Sequence, residues 1–141
     1  MTDATLISCT NAKRDEPAPA RDLYDESGYF RDMRAYAEAR GGRWFILSAK
    51  HGFVEPDEVL EPYDERGLSE QQAHDIATEL DERAINTVHL VAGKDYSDVL
   101  TPALEKVYID VVEVCRGMRI GERRSWLQQR TSELINGSLQ C

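Results

Sequence analysis

Four short apolar runs of strand length, Ala4–Cys9, Trp44–Ser48, Val88–Ala92 and Val111–Cys115, alternate with segments whose apolar residues recur at the three- and four-residue spacing of helices. Runs that are apolar on both faces of the pleat need cover on both faces, and helices between successive strands supply it. The chain is therefore expected to be α/β: a single domain over residues 1–141, with a mainly parallel four-stranded sheet and helices on both faces. Its 141 residues are enough to bury a core without a metal or disulfide scaffold. It contains no repeat, low-complexity tract or sign of a second domain.

The helices carry their own punctuation. Asp25 or Ser27 caps a first helix with the inward stripe Phe30, Met33, Tyr36 and Ala37, and Gly41-Gly42 ends it. Ser69 opens a second, which buries Ala73, Ile76, Ala77 and Leu80. Ser97 or Asp98 is expected to lead a third, turning Val99, Leu100, Leu104 and Val107 inward and leaving Pro102 in the first turn, where its missing N–H is harmless. A last helix, from about Glu122 to Ile135, packs Trp126, Leu127 and Leu134. Phe53 to Gly67, with Pro56 and Pro62, reads as a long irregular loop, and loops of that length in a small domain commonly cover or bind something.

Acidic residues outnumber basic ones 26 to 17, for a formal charge of -9. That balance argues against a generic duplex coater, whose affinity comes from a broad basic face. Arginine outnumbers lysine 13 to 4, and with the acidic excess this resembles the surface of a halophile's protein. Cys9, Cys115 and Cys141 are odd in number, widely spaced and without a CxxC pair, so neither a disulfide framework nor a zinc site is implied. The amino terminus has no basic leader, and no segment approaches the length of a membrane span, so a soluble, cytoplasmic protein with no membrane partner is expected.

Three of the four lysines, Lys13, Lys50 and Lys94, follow closely on presumptive strands. Loops after the carboxyl ends of parallel strands line one crevice, which predicts a shared cationic hollow for an anionic small molecule or nucleic acid. Ser48-Ala49-Lys50-His51-Gly52 is the densest cluster: a hydroxyl, an ammonium, an imidazole and a glycine whose backbone a ligand can approach. His51 is the leading general acid or base, because its ordinary pKa lies nearest the working range; the alternative is that Lys50 and His51 are solvated turn residues. His89, inside a strand, reads as a hydrogen-bonded sheet residue, and His74 as solvated.

Ser8, Thr10, Asn11 and Lys13 form a second wall able to fix a sugar, base edge or phosphate. Cys9 ends a strand and reads as a small core residue before it reads as a nucleophile. Lys94 and Tyr96 offer a cation and a stacking face beside Asp95, which can instead cap the next helix. Asp64, flanked by Pro62 and Tyr63 in an otherwise acidic loop, is the carboxylate best placed to be held. Arg119, in a run that also holds Arg123 and Arg124, is favoured as a phosphate ligand. Neither GxxxxGK[ST] nor GxGxxG occurs, no metal-ligand spacing is present, and no cofactor is implied.

Taken together, Leu6–Thr10 with Lys13, Ala18–Tyr24, Phe30 with Tyr36-Ala37-Glu38, Trp44–Gly52 (ending SAKHG) and Glu61-Pro62-Tyr63-Asp64 resemble an uncharacterised family of small YaaA-like proteins of archaea, bacteria and phages, over nearly the whole chain. Phe53 and Val54 stand where that family's leucines are expected. The more distant relatives that the resemblance brings in are a DNA-binding peroxide-stress protein and a domain of archaeosine-forming tRNA-modification enzymes. Their fold resembles uracil-DNA glycosylases, although the stress protein's helix-hairpin-helix has no counterpart here. This implies a nucleobase context: a protein acting on a nucleotide, nucleoside or nucleic-acid base, as an N-glycosidic hydrolase or base-modification enzyme. His51, Asp64 and Lys50 would be catalytic. Ser8, Thr10, Lys13, Arg21, Tyr24, Ser48, Gly52, Tyr63, Lys94, Tyr96 and Arg119 would hold the ligand, with Tyr24, Tyr63 or Tyr96 stacking on the base. The alternatives are a non-catalytic nucleotide or nucleic-acid binding module in stress response or phage defence, and a docking domain inherited from a modification enzyme.

Overall fold

The computed structural model describes residues 2–10 and 12–139; Asn11 and Cys141 of the readings above lie outside them. The chain runs β1 (Asp3–Ser8), β2 (Ala18–Pro19), α1 (Ala20–Leu23), α2 (Gly28–Arg40), β3 (Arg43–Ser48), β4 (Gly52–Val54), β5 (Val59–Leu60), α3 (Glu70–Glu82), β6 (Thr87–Val91), α4 (Lys94–Lys106), β7 (Asp110–Glu113) and α5 (Ile120–Leu139). It is a single α/β domain whose main sheet has the order β4-β3-β1-β6-β7. The four strands expected from the apolar runs are there and mutually parallel. The expectation of four strands needs correction, because β4 adds a fifth, antiparallel edge by pairing Ser48 with Gly52 and Ile46 with Val54. Gly52 makes this reversal affordable, since its φ of 72° falls where side-chain-bearing residues are strained.

Adjacent strand residues serve opposite faces, as the period of two requires. Ile7, Ile46 and Val91 pack with Phe30, Met33 and Leu127 under α2 and α5, while Leu6, Phe45, Leu47 and Leu90 pack with Ile76, Leu80, Leu100 and Leu104 under α3 and α4. Each such buried side chain contributes about 1.5–3 kcal/mol. Ser27, rather than Asp25, caps α2 by accepting the Phe30 N–H at 3.2 Å. Ser69 and Gln72 form a reciprocal capping box at α3. Among the described residues no helix is long and apolar enough to cross a membrane.

Two local expectations fail. α4 begins at Lys94 with Gly93 as its N-cap, so Ser97 and Asp98 lie within it and Pro102 sits in its interior. The proline is accommodated because both it and Asp98, whose carbonyl loses its intrahelical donor, are exposed. The stretch after Phe53 is also less irregular than it reads. β5 pairs antiparallel with β2, and the N–H groups of Ala20 and Arg21 donate to the carbonyls of Glu58 and Pro56 at 2.8 and 2.9 Å. This stitching brings the segment around Tyr63 beside Tyr24.

Candidate functional site

At the carboxyl edge of the sheet a buried network of hydroxyls radiates from Ser48, the last residue of β3. Its Oγ accepts the N–H groups of His51 at 3.0 Å and Lys50 at 3.3 Å, and donates to the Tyr63 hydroxyl at 2.7 Å. With both acceptor positions of Ser48 taken by backbone, its proton goes to Tyr63, whose hydroxyl also lies 2.5 Å from that of Tyr24. Ser48 and Tyr24 have no exposed surface. On the neighbouring side, the Cys9 thiol just past β1 lies 3.2 Å from the Tyr96 hydroxyl on α4. β1 and β6 are adjacent, and the chain leaves them toward opposite ends of the sheet, so this is the switch point where open α/β sheets take ligands.

Burial makes the phenolates costly here. Desolvation pushes Tyr24 up to about 12, with the Tyr63 hydrogen bond pulling the other way. Burial likewise raises Tyr63 and Tyr96, in each case with the nearby Cys9 sulfur adding to it. These tyrosines hold protons firmly and act as donors and braces. Tyr24, without exposed surface, is no platform for stacking a base, contrary to expectation.

The solvent side of Tyr63 gathers other predicted residues. The Lys13 ammonium lies 4.5 Å from the Tyr63 ring centroid and 5.8 Å from that of Tyr24, within cation–π range. The His51 ring meets Tyr63 edge to face at 5.7 Å. Lys13 and exposed Asp64 line one hollow of about 260 Å³ together with Tyr63 and Arg14. Arg14 itself is clamped by Asp25, its Nη2 at 2.7 Å from Oδ2.

Other expected residues stand apart. Ser8 is buried and directs its hydroxyl at the Met33 sulfur, 4.0 Å away. Thr10 turns back to the Ala12 carbonyl at 3.4 Å. Arg21 extends from α1 with its Nε 4.0 Å from Asp22, and buried Gly52 shapes the turn. Arg119 is exposed and gives its backbone N–H to Glu122.

Lys13, Lys50 and Lys94 do follow parallel strands at one sheet edge, yet they line three separate hollows. The expected shared hollow is divided because the tyrosines and Cys9 fill its centre. Lys50 and His51 border a cleft of about 480 Å³ whose wall also carries Glu55, Glu58, Asp75 and Glu79. Four carboxylates there offset Lys50 and Arg83, so this cleft does not attract a phosphate.

Gln72 is absent from the sequence reading, and Arg123 enters it only as part of a basic run with no role assigned. Gln72 donates from Nε2 to the Ala49 carbonyl at 2.8 Å, tying α3 to the Ser48–His51 turn. Arg123 is 8% exposed and donates to the carbonyls of Ala92 and Met118 at 2.9 and 2.8 Å. Its position was legible, since 123, 126 and 127 fall on one helical stripe and Leu127 is fully buried. Among the described residues no three His, Cys, Asp or Glu side chains are grouped to hold a metal ion.

No curated protein matches the chain, and no solved structure does. A family model, described as a family of unknown function, matches residues 4–129, from β1 into α5 and including every residue of the tyrosine network. By that match the chain belongs to the DUF6884 family.

Proposed function

We propose that this protein acts on a nucleotide, nucleoside or nucleic-acid base, as an N-glycosidic hydrolase or base-modifying enzyme, with its reacting groups around Tyr63. The observation that carries this reading is the meeting of Lys13 and His51 on the ring of Tyr63, whose hydroxyl is fixed from beneath by Ser48 and Tyr24. In the hydrolytic form, Asp64 takes a proton from water as the water oxygen bonds to the sugar carbon. The carbon–nitrogen bond breaks with its electron pair going to the base, where Lys13 offsets the charge and His51 returns a proton. The resemblance to YaaA-like proteins supports the nucleobase part of the reading. The acid-lined cleft beside Lys50 moves Lys50 out of the phosphate-holding role.

Release of free base from a panel of nucleosides, nucleotides and modified-base oligonucleotides tests the proposal. For a substrate so found, His51→Ala should abolish turnover and leave binding intact. Equal loss of binding and turnover, or binding without any turnover in the unsubstituted protein, would instead favour a module that captures the same ligand.

A further inference from the structure

β7 forms one edge of the main sheet, with β1 and β6 between it and the strand that carries Ser48, so what happens there is independent of the reaction around Tyr63. Its backbone groups face alternate sides. The N–H groups of Asp110 and Val114 donate to the carbonyls of Asn86 and Leu90 at 3.0 and 2.9 Å, on the β6 side. By the alternation of a parallel ladder Val112 also faces β6, whereas the N–H and C=O groups of Val111 and Glu113 point to the open edge, beyond which no strand of the described residues lies.

The side chains around this edge make a second, independent observation. Of the five large apolar side chains left exposed among the described residues, Tyr108, Val112, Ile120 and Ile135 come from the entry to β7, from β7 itself and from α5, which follows it. Tyr108 is 93% exposed and has a φ of 64°, at the end of α4 where helices commonly stop on glycine. An aromatic ring held in water on a left-handed backbone gains nothing within its own chain.

The strand is its own complement in one register. Antiparallel pairing joins outward residues to outward residues, which leaves three ways for β7 to meet β7 of a second copy. Centred on Glu113, two carboxylates would stand directly opposite each other, which is repulsive. Centred on Val111, Glu113 would need the N–H of Ile109, which is already spent on the Leu104 carbonyl at 3.1 Å. Centred on Val112, Val111 pairs with Glu113 of the second copy and Glu113 with its Val111, so that all the outward groups are met by four hydrogen bonds and no like charges are opposed. The two Val112 side chains then meet on the axis as a close pair, with Cα atoms about 4.5 Å apart. The same direction of pairing brings Tyr108 and Asp110 of each copy toward the turn carrying exposed Arg116 of the other, and both a carboxylate and an aromatic face attract a guanidinium.

We propose that β7 is a self-association edge, joining two copies of this chain about a two-fold axis through Val112 into one continuous sheet. The contact is short, so the dimer is reversible and forms as protein concentration rises.

Sedimentation over a concentration series, with amide exchange at both ends of it, tests the edge. Exchange at Val111 and Glu113 should slow as the dimer forms, while that of Val112, already bonded to β6, should not change. Val112→Lys and Val112→Glu, at an exposed position on an edge strand, should each weaken association about tenfold or more by placing like charges on the axis. An equimolar mixture of the two variants should associate again, as a pair with one copy of each, because only at the axis does a residue meet its own counterpart. That rescue also shows that both variants are folded. A protein that stays monomeric up to about 1 mM, a dimer in which Val111 and Glu113 exchange as fast as in the monomer, or a mixture that associates no better than either variant alone would overturn the proposal.

Discussion

Ser48 shows how much one hydroxyl can organise. It uses its single proton and both acceptor positions, so the turn carrying Lys50 and His51 and the segment carrying Tyr63 share one fixed point. Ser48→Ala would strip two backbone N–H groups and one phenol of their partner at a site with no exposed surface, and should cost about 1–3 kcal/mol in urea unfolding. A loss within error of zero would mean that water replaces the hydroxyl. The phenols at the other end of the chain make a prediction in pH. Burial holds the Tyr24 proton more tightly in the folded than in the unfolded protein, its pKa rising from 10.0 to about 12. The stability tied to it is fully present below about 10 and is lost as pH rises through about 12. The midpoint of thermal unfolding should therefore fall across that window, less steeply in Tyr24→Phe than in the unsubstituted protein. The sequence announced the chemistry of Ser48, His51 and Tyr63 but not their mutual order, because hydrogen-bond direction depends on which backbone groups a turn brings to Ser48.

Elements read from periodicity survive, and those decided by tertiary pairing do not. β1, β3 and β6 were legible because their apolar runs serve two helical layers at once, whereas β7 lies at the sheet edge with Val112 47% exposed and was legible only from its valines. β2, β4 and β5 have two or three residues each, too few for any period, and exist only because a neighbour pairs with them. The start of α4 was missed for a related reason: Gly93 caps it without a side chain, while Ser97 and Asp98 look like caps and lie inside. α3 carries a consequence for the site. Gln72 accepts the Ser69 N–H at 2.9 Å to complete the capping box, and its other end donates to the Ala49 carbonyl. Gln72→Glu keeps the first bond and turns the second into a repulsion between oxygens. Helix content by circular dichroism should hold, whereas amide exchange at Lys50 and His51 should speed up severalfold. Loss of helix content together with the faster exchange would show that the box itself had failed.

At the scale of the whole molecule, the question is how much positive charge remains for a partner. The net charge is -9, and many arginines are already committed within the chain: Arg34 to Asp22, Arg40 to Asp3, Arg83 to Glu79 and Arg124 to Asp32. The cleft beside Lys50 sets Glu55, Glu58, Asp75 and Glu79 against Lys50 and Arg83, the hollow beside Lys94 adds Arg116 and Arg123 but also Asp98 and Glu113, and the one beside Lys13 and Arg14 holds Asp15 and Asp64. Such a surface offers contacts to one or two phosphates, not to a run of them. Each phosphate neutralised on a duplex contributes roughly 0.9 to the slope of log affinity against log salt, so a ligand held here should give a magnitude of about 1–2. Duplex DNA should bind weakly at low salt and immeasurably at physiological salt, where screening acts over roughly 8 Å and the molecule's own negative field still opposes approach. Affinity measured for duplex DNA, single-stranded oligonucleotide and mononucleotide over a salt series decides the matter. A duplex slope of about six or more in magnitude, the value for a protein that tracks several phosphates, would require a basic face absent among the described residues and would shift the reading from a small-ligand or single-base site to a nucleic-acid coat.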